Sequence, residues 1–159
     1  MSKPPYTALI VEDNQDWLEI FLKIVNANSQ NIFDFIHAAD LKTALSILKV
    51  NKEISLILLD LLLPDSHPFD TVKTITKEIK HIPVVVLTTF DDERLMEEAI
   101  TSGAEDYLVK DEYDEKIFFH TTKMAIIRHL AKNKADLSED VSKITERLSS
   151  IIGLLDKYN

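Results

Sequence analysis

The sequence predicts an α/β protein: a doubly wound parallel sheet with helices on both faces. Three observations carry this. Five short apolar runs, at residues 7–11, 33–36, 56–59, 84–87 and 106–109, have the length of strands buried on both faces. Between them, apolar residues recur at helical spacing. Strand-like and helix-like segments alternate five times, which is the pattern of parallel strands joined by crossover helices.

The first run, Thr7-Ala8-Leu9-Ile10-Val11, ends in Glu12-Asp13-Asn14. Trp17, Ile20, Phe21, Ile24 and Val25 then predict an amphipathic helix. Phe33-Asp34-Phe35-Ile36 reads as a second strand, and Asp40 can cap a helix carrying Leu41, Ala44, Leu45 and Leu48. The third run, Leu56-Ile57-Leu58-Leu59, leads straight into Asp60. Residues 64–68 read as a loop, and residues 70–79 as a helix with Val72, Ile75, Thr76 and Ile79 on one face. Pro83 precedes the β-branched run Val84-Val85-Val86-Leu87, which ends in Thr88-Thr89. Asp91 or Asp92 can cap the next helix, through Leu95, Met96, Ala99 and Ile100, with Gly103 at its C-cap. A short strand at residues 106–109 ends in Lys110. Asp114 opens the last helix, with Ile117, Phe118, Met124, Ile127 and Leu130 on its apolar side. Five such units fit, by analogy, the flavodoxin-like strand order 2-1-3-4-5.

Composition narrows the function classes. The chain has 159 residues, enough for one domain with an appendage and a core that needs no staples. A formal charge of −9 disfavours direct nucleic-acid binding, which calls for a basic surface. The absence of cysteine removes disulfides, thiolate metal sites and thiol nucleophiles. Gly103 and Gly153 are the only glycines, so glycine-rich phosphate loops are excluded. No apolar run is long enough to span a bilayer, and the first residues lack a signal-peptide core, so a cytoplasmic location is expected.

The chemistry-bearing residues fall at strand ends. In an open parallel sheet the ligand crevice lies outside the carboxyl ends of the strands. Taken alone, Asp60 fits such a site and a turn equally well. Yet the first strand ends in Glu12 and Asp13, the third in Asp60, the fourth in Thr88 and the fifth in Lys110. A parallel sheet would gather all five on one edge. Adjacent carboxylates at the end of a buried strand are costly unless solvated or neutralised by a cation. His67 reads as a solvated loop residue, and His37, His81, His120 and His129 show no metal-ligand spacing.

Residues 5–132 closely resemble the receiver domain of two-component response regulators. The resemblance rests on Glu12-Asp13, on Leu58-Leu59-Asp60 with Pro64, on Leu87-Thr88, and on Gly103-Ala104 followed by Tyr107-Leu108-Val109-Lys110. It implies that Asp60 accepts a phosphoryl group from a histidine kinase or phosphotransfer protein. It further implies that Glu12, Asp13, Asp60 and the backbone carbonyl of Leu62 bind Mg²⁺, and that Thr88 and Lys110 contact the phosphoryl oxygens. Tyr107 would be the aromatic whose rotation reports the change of state. The chain would then be a switch that assists its own phosphorylation and dephosphorylation, rather than an enzyme acting on a separate substrate.

Three departures stand out. The loop Asp65-Ser66-His67-Pro68-Phe69-Asp70 lacks the glycine usual near Pro68, so a different loop position is expected. Thr89 replaces a smaller residue, which would narrow access to Asp60. Asp111 follows Lys110 where many members carry proline, so the usual cis peptide loses its chemical basis. Leu62 and Phe90, two residues beyond Asp60 and Thr88, border the path of hydrolytic water in the family; both are apolar here, which predicts slow self-dephosphorylation.

Residues 133–159 form a separate appendage. Leu137, Val141, Ile144, Leu148, Ile151 and Leu155 are spaced 4, 3, 4, 3, 4, a heptad seam. Ile127, Leu130 and Lys134 continue it backwards. One long helix, or a break near Asp136-Leu137-Ser138, both fit. Self-association is expected, as a homodimer through this appendage or the last receiver helix; folding back onto the domain is the alternative. Two other functions compete. A dehalogenase-type phosphatase also uses a strand-end aspartate, but Leu62 stands where its second aspartate would be. A receiver-like binding module without phosphorylation would have no need of Asp13, Asp60, Thr88 and Lys110 together. No helix-turn-helix follows the receiver, so no direct nucleic-acid partner is expected, and no membrane.

Overall fold

The computed structural model describes residue 4 and residues 6–27 and 32–155, with side chains described up to residue 150. Its elements are β1 (Tyr6–Val11), α1 (Gln15–Ala27), β2 (Phe33–Ala38), α2 (Leu41–Val50), β3 (Ile54–Leu59), α3 (Pro68–Glu78), β4 (Val84–Thr88), α4 (Glu93–Thr101), β5 (Asp106–Val109) and α5 (Glu115–Leu155). The five strands form one parallel sheet in the order β2-β1-β3-β4-β5, the flavodoxin-like arrangement. The expected fold class is what the chain adopts.

Two apolar layers sandwich the sheet. Leu9, Val11, Ile57, Leu59, Val84 and Val86 face the layer holding α2, α3 and α4. Ala8, Ile10, Leu56, Leu58, Val85 and Leu87 face the layer holding α1 and α5. Alternate residues of each strand thus go to opposite layers, which is why these strands read as unbroken apolar runs.

Several boundaries and faces differ from expectation. β2 runs on through His37 to Ala38, pairing with the whole of β1. α3 begins at Pro68, two residues before Asp70, because proline suits the first turn, where its missing N–H is not needed. In α1, Leu18, Phe21 and Val25 are buried while Ile20 and Ile24 face outward. In α5, Phe118, Phe119, Ala125 and Ile126 are buried, whereas Ile117, Ile127 and Leu130 are exposed. Apolar character at helical spacing marked more surface than the body covers.

α5 shows no break near Asp136: it is one helix of 41 residues, about 60 Å long. Residues 131–150 are exposed throughout, so this segment does not fold back on the sheet. The side chains of Ile151 and Leu155 lie outside the described residues. No helix among the described residues is long and apolar enough to cross a membrane.

Candidate functional site

Parallel register brings the strand ends together. Val11 pairs with Leu59, so Glu12 and Asp60 leave adjacent strands at the same level. The Asp60 N–H donates to the Val11 carbonyl at 2.9 Å, and the Glu12 N–H to the Ala38 carbonyl at 2.9 Å. Thr88 pairs with Val109, and the Lys110 N–H donates to the Thr88 carbonyl at 2.7 Å. Backbone hydrogen bonds therefore fix the chain at every one of these positions before any side chain acts.

The side chains of Glu12, Asp60 and Lys110 converge at this edge. Lys110 Nζ donates to Asp60 Oδ2 at 2.8 Å and to Glu12 Oε2. All three side chains are buried, and Lys110 spans 98 residues of sequence to reach Glu12. Glu12 also accepts from the Asn14 N–H at 2.9 Å, and Asp60 Oδ1 from the Leu62 N–H at 3.0 Å. Asp13 is exposed at the rim. Glu12, Asp13 and Asp60 each bring a carboxylate oxygen within 4.8 Å of the others.

One ammonium faces three carboxylates, so the cluster is under-neutralised. Burial accordingly pushes the Glu12 carboxyl above its ordinary value; the Asp60 charge adds to this and the Lys110 hydrogen bond opposes it. An all-oxygen donor set carrying excess negative charge suits a hard divalent cation such as Mg²⁺. The residues fit that ion.

Thr88 is wholly buried, and its hydroxyl has no hydrogen-bond partner among the described residues. An unmade bond of this kind costs about 1–3 kcal/mol. Tyr107 is buried too; its hydroxyl donates to the Phe90 carbonyl at 2.8 Å, two residues past Thr88. Burial pushes the Tyr107 phenol up to about 12. Leu62 presents an exposed side chain beside Asp60, and Thr89 is exposed as well.

Three partners were not legible in the sequence. The Trp17 ring lies 4.1 Å from Lys110 Nζ, a cation–π contact that helps hold the ammonium. Trp17 looked like one more apolar position of α1. His37 Nε2 meets the Glu12 carbonyl at 2.7 Å, tying β2 to the acidic doublet. Asp65 accepts from the N–H groups of Leu41 and Lys42, at 3.0 and 2.9 Å, and so ties the loop after Asp60 to the start of α2. Only Asp65 had a signal: a carboxylate suits the free amides of a helix N-terminus, but nothing local says which helix. Asp111 takes a left-handed backbone with φ +67°, and no peptide bond among the described residues is cis.

Solved structures share this architecture. A two-component response regulator from Clostridium difficile superposes with a TM-score of 0.66 at 23% identity, covering 79% of this chain and 98% of that one. A CheY-like receiver domain protein from Methanospirillum hungatei superposes with a TM-score of 0.67 at 18% identity, covering 80% and 98%. In sequence, the transcriptional regulatory protein YdfI of Bacillus subtilis is 34% identical over 118 residues, which are 74% of this chain and 54% of YdfI. The chain spans about half the length of the curated relatives it matches. The sequence model of the response regulator receiver domain matches residues 8–121, from the second residue of the β1 apolar run well into α5. With the strand order, the strand-end cluster and this match in agreement, the chain belongs to the response regulator receiver domain family.

Proposed function

We propose that the chain is a phosphorylation-activated receiver in which Asp60 takes a phosphoryl group from a histidine kinase or phosphotransfer protein. The observation that carries this reading is the pairing of buried Asp60 with Lys110 at the sheet edge where β4 ends in buried Thr88, whose hydroxyl has no hydrogen-bond partner among the described residues. An Asp60 carboxylate oxygen attacks phosphorus, and the bond from phosphorus to the donor's imidazole nitrogen breaks. That nitrogen keeps the electron pair. Lys110 neutralises charge on the equatorial oxygens and steadies the nucleophile. Glu12, Asp13, Asp60 and the Leu62 carbonyl would hold Mg²⁺, which supplies charge neutralisation at the phosphoryl oxygens.

The new group adds a charge of about −1.5 to −2 and strong acceptor oxygens. Thr88 then gains an acceptor for its hydroxyl and draws its loop inward. Because Tyr107 is bonded to the Phe90 carbonyl in that loop, the same movement breaks or carries the Tyr107 bond. Tyr107 is thereby the second member of the switch, and a partner-binding surface changes with it.

Incubation with a small phosphodonor and Mg²⁺, read by intact mass, tests the proposal. Wild type gains one phosphoryl group and Asp60→Asn gains none. Equal uptake by both proteins, or uptake by neither, refutes it; the second result would favour a binding module that is not phosphorylated. Once the donor is removed, decay is expected over minutes or longer, since neither Leu62 nor Phe90 can orient a water by hydrogen bonding. A half-life of seconds would show that another group does so.

A further inference from the structure

The segment of α5 beyond Leu130 has the geometry of a surface that lacks its partner. Leu137, Val141, Ile144 and Leu148 lie along one line of the helix and are 55–66% exposed. In proteins most of the stability of a helix comes from packing its apolar face, and this stretch of α5 packs its face on nothing among the described residues. A 4-3-4 spacing complements another helix of the same spacing, since each knob needs a hole made by four residues of a facing heptad. We infer that a second copy of this chain covers this seam, in an antiparallel two-helix coil that sets Val141 against Ile144 and Leu137 against Leu148 of the other copy.

Charge selects the direction and the register. With Val141 and Leu148 at a positions and Leu137 and Ile144 at d, the g positions carry Asp140 and Arg147, and the e positions the neutral Ser138 and Thr145. Glu139 and Lys143 fall on the outer face and pair with each other at 2.6 Å. Neither Asp140 nor Arg147 has an ion-pair partner among the described residues. In an antiparallel pair, g flanks face g flanks. In the stated register, Asp140 of each copy faces Arg147 of the other. A slip of one heptad sets Asp140 on Asp140 one way and Arg147 on Arg147 the other way. A parallel, in-register pair stacks Lys134 on Lys134 at an a position and leaves Asp140 facing Thr145. It also brings two receivers side by side, in a chain whose net charge is −9. The antiparallel pair sends them to opposite ends.

The inference rests on the tail alone and is read on the unphosphorylated chain, so it stands or falls apart from the chemistry at Asp60. The chain has no cysteine, so each introduced thiol reports one contact. Under mild oxidation, Leu137→Cys mixed with Leu148→Cys should give mainly the mixed disulfide, and Lys134→Cys alone little dimer. Efficient self-linking of Lys134→Cys would overturn the antiparallel arrangement. Sedimentation of the full chain should show a dimer. Asp140→Arg should weaken it about tenfold, and Asp140→Arg with Arg147→Asp should restore it. Unchanged association in the single variant, or no recovery in the double, would overturn the register. A monomer throughout the micromolar range, a trimer, or a dimer formed only with a different protein would overturn the inference. Trp17 fluorescence, reporting on the receiver body, checks that each variant remains folded.

Discussion

The two halves of α5 both carry apolar residues at helical spacing and meet opposite surroundings. From Glu115 to Ile126 the helix lays Phe118, Phe119, Thr122, Ala125 and Ile126 into the sheet's second layer. From residue 131 to 150 it has an equally regular apolar line, and nothing among the described residues covers it. Spacing tells which residues share a face. It does not tell whether the chain itself supplies the cover. The same lesson holds in α1, where Phe21 is buried and Ile20, one position earlier, is not.

Substituting the two halves gives the largest expected contrast. Phe118→Ala should lower receiver stability by about 3–5 kcal/mol, the usual cost of removing a buried aromatic. Leu137→Ala should leave receiver unfolding within about 0.5 kcal/mol of wild type and weaken self-association instead. Urea unfolding followed through Trp17 separates these, and equal losses would break the comparison. Lys110→Met comes next. It leaves Glu12 and Asp60 buried without their cation and should cost about 3 kcal/mol, partly recovered by Mg²⁺ while the tail's sedimentation stays unchanged.

A smaller effect separates the body from the tail by pH. Burial raises the Glu12 carboxyl in the folded state. Between the unfolded value of 4.5 and that raised value, the folded protein holds a proton that the unfolded chain does not. Stability from this group is therefore full below the unfolded value and is lost as pH rises through the folded one. Without metal, wild type should lose more stability than Glu12→Gln between pH 5 and pH 7; a wild type that loses less would reverse the sign. Smallest of all, Tyr107→Phe removes the bond to the Phe90 carbonyl and should cost about 1 kcal/mol in the same unfolding assay.

The sheet and its chemical edge were legible because each strand is a buried run that stops at a polar residue. Asp60, Lys110, Glu12 and Thr88 needed only the assumption of a parallel sheet to reach one edge, where the first three side chains meet. The unforeseen contacts all cross between elements that no local pattern relates. Trp17 reaches Lys110 from α1, His37 reaches Glu12 from β2, and Asp65 reaches α2 from the loop before α3. The start of α3 was misplaced because a histidine, with no side-chain hydrogen bond to the helix, occupies its cap position. In α5, Asp136 and Ser138 suggested a stop, yet both are exposed, and the intrinsic cost of such residues inside a helix is only a few tenths of a kcal/mol each.

The grip of Asp65 on the amides of Leu41 and Lys42 turns those two N–H groups into a gauge. They sit on a different element from Asp60, yet they stay bonded only while the loop leaving Asp60 keeps its place. If that loop shifts when the aspartate is modified, their deuterium uptake should quicken while that of the neighbouring Thr43 amide, held by Asp40, does not. Adjacent amides on one helix turn would then report separately on the loop and on the helix, with no label attached to the site.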